Sequence, residues 1–184
     1  MTRLLAILAV VVLAALPAVA SAQPLDPENT IYMDIKGGRV VIKLRPDLAP
    51  NQVARIKELT RAKFYDGLTF HRVIPGFMAQ TGDPNGDGSG GSDKPDLKAE
   101  FTNTNFGRGT IGAARAPDPN SANSQFFICF DDCSFLNGQY TVFGEVVDGM
   151  QFVDKIKPGN PDINDGQVTN PDKIIKMQVA ADAK

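Results

Sequence analysis

The chain has one histidine, no tryptophan and two cysteines. A single histidine excludes a multi-histidine metal centre, and Cys129 and Cys133 are spaced unlike the ligands of a zinc site. No run of basic residues occurs, and the formal net charge is −2, so neither nucleic acid nor an anionic membrane is an expected partner. A Ser or Cys nucleophile served by His71 lacks the Gly-x-Ser-x-Gly elbow that would expose it. The glycine-rich stretch from Gly82 to Gly91 lacks the Gly-Lys-Ser/Thr ending of a phosphate loop. Asp83-Pro84-Asn85-Gly86-Asp87-Gly88 copies the first half of a calcium-binding EF-hand loop. However, Lys94 stands where the bidentate Glu belongs, and a strand rather than a helix precedes it. No metal and no cofactor are expected.

The amino terminus reads as a cleavable signal peptide over residues 1–22. Arg3 gives a basic start, Leu4 to Leu16 are apolar, Pro17 breaks the run, and Ala20-Ser21-Ala22 is a small-x-small cleavage pattern. The alternative is a membrane anchor, but the uncharged run to Ala22 is near the lower limit for a span and lacks basic flanks. The expected product is residues 23–184, periplasmic or secreted, with no stable membrane association after cleavage. No Asn-x-Ser/Thr sequon is present, which favours a bacterial periplasm over an endoplasmic reticulum.

Residues 23–184 show no solenoid-type repeat and no second core, so they read as one domain. Ile31–Ile35 and Arg39–Leu44 alternate apolar and polar residues about a Gly37-Gly38 hairpin turn. Pro50 suits the first turn of a helix that carries Val53, Ile56 and Leu59 on one face and ends before Asp66-Gly67. Short apolar runs at 69–74, 77–81, 110–114, 125–130, 141–147 and 173–179 read as strands. A second helix fits 148–156, with Asp148 as its cap. Many short strands with two helices predict an all-β domain, a closed barrel rather than a sandwich because closure removes sheet edges. Four extended residues would carry Cys133 too far from Cys129 for a bridge, so two free thiols are expected, although a turn at Asp131-Asp132 could bring them together.

Three segments concentrate unusual residues: Phe70 to Asp83, Asn123 to Cys129, and Phe135 to Gly144. By residue type, Phe77, Met78, Phe127, Leu136 and Phe143 are ordinary core. Arg72 is less ordinary, because it stands in a strand beside the only histidine. Alone it would face solvent or pair with a carboxylate, and a lone strand histidine is more often structural than catalytic.

The run Phe70-His71-Arg72-Val73-Ile74-Pro75-Gly76-Phe77-Met78-Ala79-Gln80-Thr81-Gly82-Asp83 resembles the signature of the cyclophilins. Ser124 to Cys129 and Val142-Phe143-Gly144 resemble later motifs of that family, in the same order and at similar spacing. The resemblance implies a closed eight-stranded antiparallel barrel capped by two helices, with an active site on its outer surface. It implies peptidyl-prolyl cis/trans isomerase activity on proline-containing unfolded or flexible polypeptides, assistance to the folding of exported proteins, and a monomer. A binding module that holds proline segments without turnover is the alternative, and an intact Arg72 favours the enzyme. The resemblance makes Arg72 catalytic. It places Phe77, Met78, Phe127, Leu136 and Phe143 around the proline ring, with His71, Gln80 and Gln125 nearby. Backbone at Ala114, Arg115 and Ala116 would hold the residue before the proline. Phe135, Tyr140 and Arg115 stand where the family often has Trp, His and Asn, which alters the rim and leaves the catalytic group untouched.

Overall fold

The computed structural model describes residues 24–184; the expected signal peptide lies outside the described residues. Among the described residues there are eight strands: β1 (Thr30–Ile35), β2 (Gly38–Leu44), β3 (Arg72–Ile74), β4 (Met78–Thr81), β5 (Thr110–Ala113), β6 (Phe126–Cys129), β7 (Val142–Asp148) and β8 (Ile174–Val179). They form one antiparallel sheet in the order β3-β4-β6-β5-β7-β2-β1-β8. The closed barrel of the sequence reading is not what forms. The sheet curls into a half-barrel whose end strands, β3 and β8, share no ladder. The segment before β3 meets the segment before β8 only at the isolated bridge Thr69–Lys173 and neighbouring bonds such as Phe70 N–H to Asp172 O at 2.9 Å. The expected strand 69–74 is accordingly cut to Arg72–Ile74.

The inner face of the sheet carries the main core, including Ile31, Met33, Val40, Ile42, Leu44, Val73, Ala79, Ile111, Phe126, Ile128 and Phe143. Helix α1 (Pro50–Arg61) closes one end with Val53, Ile56 and Leu59 buried, as the helical spacing predicts. Its first free N–H groups are satisfied from far along the chain, because the Glu100 carboxylate accepts from Asn51 N (3.0 Å) and Gln52 N (2.9 Å). A carboxylate at this end also opposes the positive pole of the helix dipole.

Two local expectations fail for identifiable reasons. The hairpin turn is Lys36-Gly37, since Gly38 already pairs with Ile35 in the ladder. Gly38 is needed for close approach: a Cβ there would stand 2.9 Å from a Phe152 ring carbon, and closer to others. The second helix is only Met150–Val153 (α2), and Asp148 is the last residue of β7. Gly149, with φ 87°, makes the reversal that Asp148 was expected to make as a cap. A third short helix, α3 (Pro161–Asn164), was not anticipated; the Asn160 side chain caps it by accepting from Asp162 N at 2.9 Å.

Candidate active site

Alternation along the strands gives the sheet a second apolar surface. Where β6 turns Phe126 and Ile128 inward, it turns Phe127 and Cys129 outward, into a smaller cluster with Met78, Phe106, Cys133, Leu136 and Val142. On β3, Val73 faces in, which sends Arg72 and Ile74 to the other face. The antiparallel register then aligns one outer row across four strands: Arg72 opposite Gln80, Gln80 opposite Phe127, Phe127 opposite Gly112. Residues from three distant stretches of sequence become neighbours because each occupies the same step of the pleat.

This row floors a cavity of about 300 Å³ lined by Arg72, Phe77, Met78, Gln80, Phe127 and Leu136, with Ala114, Arg115, Phe135 and Tyr140 at its borders. Met78, Phe127 and Leu136 are buried, while Phe135 is 62% exposed and tilts against Phe77 at 5.2 Å. Phe127 stacks on Phe106 at 5.8 Å and meets Tyr140 edge-on at 5.7 Å. The ring-lined wall is therefore fixed by aromatic contacts on two sides, and those geometries are the favoured ones.

Two cations, Arg72 and Arg115, edge the cavity, and the hydrogen bonds of Arg72 define its pose. Nε donates to the backbone oxygen of Asp165 (2.9 Å) and to its Oδ2 (3.1 Å), and Nη2 donates to Oδ1 (3.0 Å). Nη1 reaches Gln80 Oε1 at 3.4 Å. Gln80 Nε2 donates in turn to Gln125 Oε1 (2.9 Å), and Gln125 Nε2 donates to the carbonyls of Gly88 and Gly90. The chain of amides ties the arginine to the Asp83–Gly91 loop. That loop is itself organised by the buried Asp83 carboxylate, which accepts from the N–H groups of Asn85, Asp87 and Gly88.

A second cavity of about 400 Å³ adjoins the first and shares Gln80, Ala114 and Arg115 with it; Ala116 and Gln125 also line it, among several glycines and serines. Arg115 lies between the two. Its guanidinium stacks over Tyr140 at 4.4 Å and donates back to the carbonyls of Ala116 (2.9 Å) and Gln139 (3.1 Å). The Ala116 N–H is taken by Ser121 Oγ at 2.9 Å. With both backbone groups of Ala116 engaged, the saddle between the cavities is rigid.

Two residues stand apart from their expected places. Phe143 does not line the cavity: it is a buried residue of the inner core, T-stacked on Phe126 at 6.0 Å. The preceding Val142 faces outward, so the pleat sends Phe143 inward. His71 is buried behind the cavity and lines a separate recess with Arg72, Gln80 and Asp165. Neither ring nitrogen has a hydrogen-bond partner, and burial holds the imidazole below its ordinary pKa. Conversely, Asp165, Gly112 and Phe106 are essential to the geometry and were not singled out from sequence.

Cys129 and Cys133 are both buried free thiols beneath the cavity wall. The chain reverses after β6, so Cys133 returns to the cluster that holds Cys129; the extended-chain distance expected between them does not arise. Burial raises both thiol pKa values. Among the described residues, no group of three His, Cys, Asp or Glu side chains is placed to hold a metal ion, and no helix is long and apolar enough to cross a membrane.

Fold and site together define a β-rich protein with an apolar, cation-edged cavity on the outside of its sheet, sized for a small ring. Comparison with known proteins agrees. The family profile described as cyclophilin type peptidyl-prolyl cis-trans isomerase/CLD matches residues 30–179. A probable peptidyl-prolyl cis-trans isomerase of Brucella suis is 58% identical over 178 residues, covering 91% of this chain and 90% of that protein. Peptidyl-prolyl cis-trans isomerase B of Bacillus subtilis is 40% identical over 126 residues, covering 67% of this chain and 87% of that one. Among solved structures, a cyclophilin from Hirschia baltica aligns with a TM-score of 0.76 at 25% identity, over 87% of this chain and 77% of its own. A Cryptosporidium parvum cyclophilin type isomerase, crystallised in the presence of the dipeptide Ala-Pro, aligns with a TM-score of 0.73 at 25% identity, over 82% and 98%. The chain belongs to the cyclophilin-type peptidyl-prolyl cis-trans isomerases. Its activity is the cis/trans isomerisation of X–Pro peptide bonds.

Proposed function

We propose that Arg72 is the catalytic group, that the cavity beside it takes the proline ring, and that backbone at Ala114 and Arg115, with Ala116 pinned beside them, holds the residue before the proline. The observation that carries this reading is the single outer row of Arg72, Gln80 and Phe127, which sets a guanidinium against an apolar wall. Rotation about X–Pro is slow because amide resonance must be lost, at a barrier of about 18–20 kcal/mol. In the twisted state the proline nitrogen becomes pyramidal and gains a lone pair. An N–H of Arg72 donated to that nitrogen stabilises the twisted state and not the planar one, which is what accelerates a reaction. Each terminal nitrogen of Arg72 has a second N–H that Asp165 and Gln80 do not use. Bringing tens of seconds to milliseconds takes about 5–6 kcal/mol. A charge-assisted bond in a partly dehydrated pocket, together with positioning, accounts for a term of that size.

The substrates are proline-containing segments of unfolded or flexible polypeptides, and the dipeptide used with the Cryptosporidium relative is the smallest member of that class. The protein acts as an exported monomer on exported clients, with residues 1–22 as a cleaved signal peptide. The mass of the protein from the exporting cell tests this: a chain beginning at Gln23 is expected, and an intact precursor held in the membrane contradicts it. Catalysis is tested by proline-limited refolding of a model protein. Catalytic amounts of residues 23–184 shorten the slow phase, and the Arg72→Ala variant leaves it nearly unchanged.

A further inference from the structure

We propose that Asp165 is a positioning residue for the isomerase reaction: it holds the Arg72 fork in its working orientation. The inference rests on Arg72 being the catalytic group. Three contacts join the two residues, namely Nε to the backbone oxygen, Nε to Oδ2 and Nη2 to Oδ1, all between 2.9 and 3.1 Å. A carboxylate met by Nε and Nη2 in parallel fixes the guanidinium plane as well as its place, which a single contact cannot do. Gln80 restrains the opposite edge at Nη1. The edge that Asp165 grips faces away from Gln80, so the pair clamps the fork from two sides.

Asp165 is able to do this because its own backbone is pinned. It follows α3 with φ 54°, a left-handed conformation that Asp, Asn and Gly tolerate best. The flanking chain is stitched to β3 at two points, Gly159 N to Val73 O (3.0 Å) and Val73 N to Gly166 O (2.8 Å), and to His71 just before it by Val168 N to His71 O (2.9 Å). Gln167 forms an isolated bridge opposite Arg72 itself. The carboxylate therefore sits on a short rigid segment built against the strand that carries the arginine.

Two effects of the carboxylate oppose each other. It restrains the fork, which favours turnover, and it offsets part of the positive charge, which disfavours it. The Asp165 side chain is 79% exposed, so water screens its through-space field strongly. Hydrogen-bond geometry is not screened in that way, and reaction rates are sensitive to small misplacements of the catalytic group. Restraint therefore outweighs charge offset. As an exposed pair, the bridge adds little to stability, so its effect appears in turnover.

The test uses residues 23–184 with Asp165→Gly, which removes the carboxylate and suits the left-handed backbone, and Asp165→Asn, which keeps the backbone preference and one acceptor. Exchange of an Ala-Pro peptide is followed by NMR, with the rate at saturation separated from the affinity. Asp165→Gly is expected to lower the saturated rate about three- to tenfold, the range for freeing one rotamer-rich side chain, with peptide affinity nearly unchanged. Asp165→Asn should recover part of that loss. Adding Asp165→Gly to Arg72→Ala should cost nothing more. A parental or faster rate in Asp165→Gly overturns the proposal, as does an equal loss in the Arg72→Ala background, which would show that Asp165 acts elsewhere. A parental rate in Arg72→Ala alone instead refutes the role of Arg72 and removes the basis of the proposal.

Discussion

Substituting alanine at Gly112 tests whether the aromatic floor of the cavity is as tightly fixed as the structure requires. Gly112 lies opposite Phe127 in the β5–β6 ladder and has no positive φ, so alanine suits its backbone. The difficulty is space. A Cβ there would stand 2.7 Å from Phe106 Cε1 and 2.9 Å from Phe127 Cε1, with Phe127 Cζ nearer still. Carbon contacts relax at about 3.5–4.0 Å, so the stacked rings must move by about 1 Å. Phe106 is fully buried and Phe127 is 5% exposed, so the strain falls on neighbouring core atoms and on the cavity that Phe127 floors. Overpacking of this kind costs about 1–3 kcal/mol. At about 2–4 °C per kcal/mol for a domain of this size, that is a fall in Tm of roughly 2–12 °C. Phe127 also forms the proline-ring wall, and a displacement of about 1 Å there can cost up to about 10²-fold in turnover; a loss of about tenfold is expected. Thermal melts and peptide-exchange rates read the two effects. In a Phe127→Leu background, where one of the two rings that meet the new methyl is absent, Gly112→Ala should cost less stability, with the Phe106 contact remaining. A Gly112→Ala variant with parental Tm and rate would refute the packing argument, and an undiminished cost in the Phe127→Leu background would place the clash on Phe106 and not on the cavity floor.

Two further outcomes follow from buried titratable groups. Because His71 is held below its ordinary pKa, the unfolded chain takes up that proton first on acidification, and stability declines as pH falls below about 6.5. The urea midpoint should therefore drop between about pH 7.5 and 5.5. His71 is the only histidine, so His71→Gln should flatten that slope, and a midpoint that rises on acidification contradicts the assignment. The thiols Cys129 and Cys133 are buried with raised pKa values, which starves both of the reactive thiolate. An aromatic disulfide reagent should find two thiols in the denatured, unreduced protein and react far more slowly with the native one; finding none after denaturation would mean a bridge.

Much of the strand order along the chain is readable from composition, because apolar alternation and Gly, Pro, Asn and Asp breaks are local signals. The Lys36-Gly37 turn shows the limit of that approach. Gly-Gly is a turn signal locally, but Phe152, more than a hundred positions on, explains why the second glycine belongs to the strand. The candidate site was legible as a list of residues and not as a surface. Arg72, Gln80 and Phe127 form a row only through register, and register depends on pairings between β3, β4 and β6 that no single segment encodes. The same pleat that places Phe127 outward sends Phe143 inward, though both stand in the motif runs. Asp165 lies 93 positions from Arg72, in a turn with no catalytic appearance of its own.

The most direct test of the account is the exchange rate of an Ala-Pro peptide with the parent, Arg72→Lys and Arg72→Ala proteins, each shown to be folded by its melt. Arg72 is partly exposed, with 27% of its side chain accessible, so its removal should leave the fold intact. If one oriented N–H stabilises the twisted amide, Arg72→Ala should lose about 10²–10³ in rate, the usual cost of deleting a donor aimed at transition-state charge. Arg72→Lys keeps the charge without the planar fork and should recover only part of it. A folded Arg72→Ala protein that turns over at the parental rate would contradict the electrostatic mechanism outright.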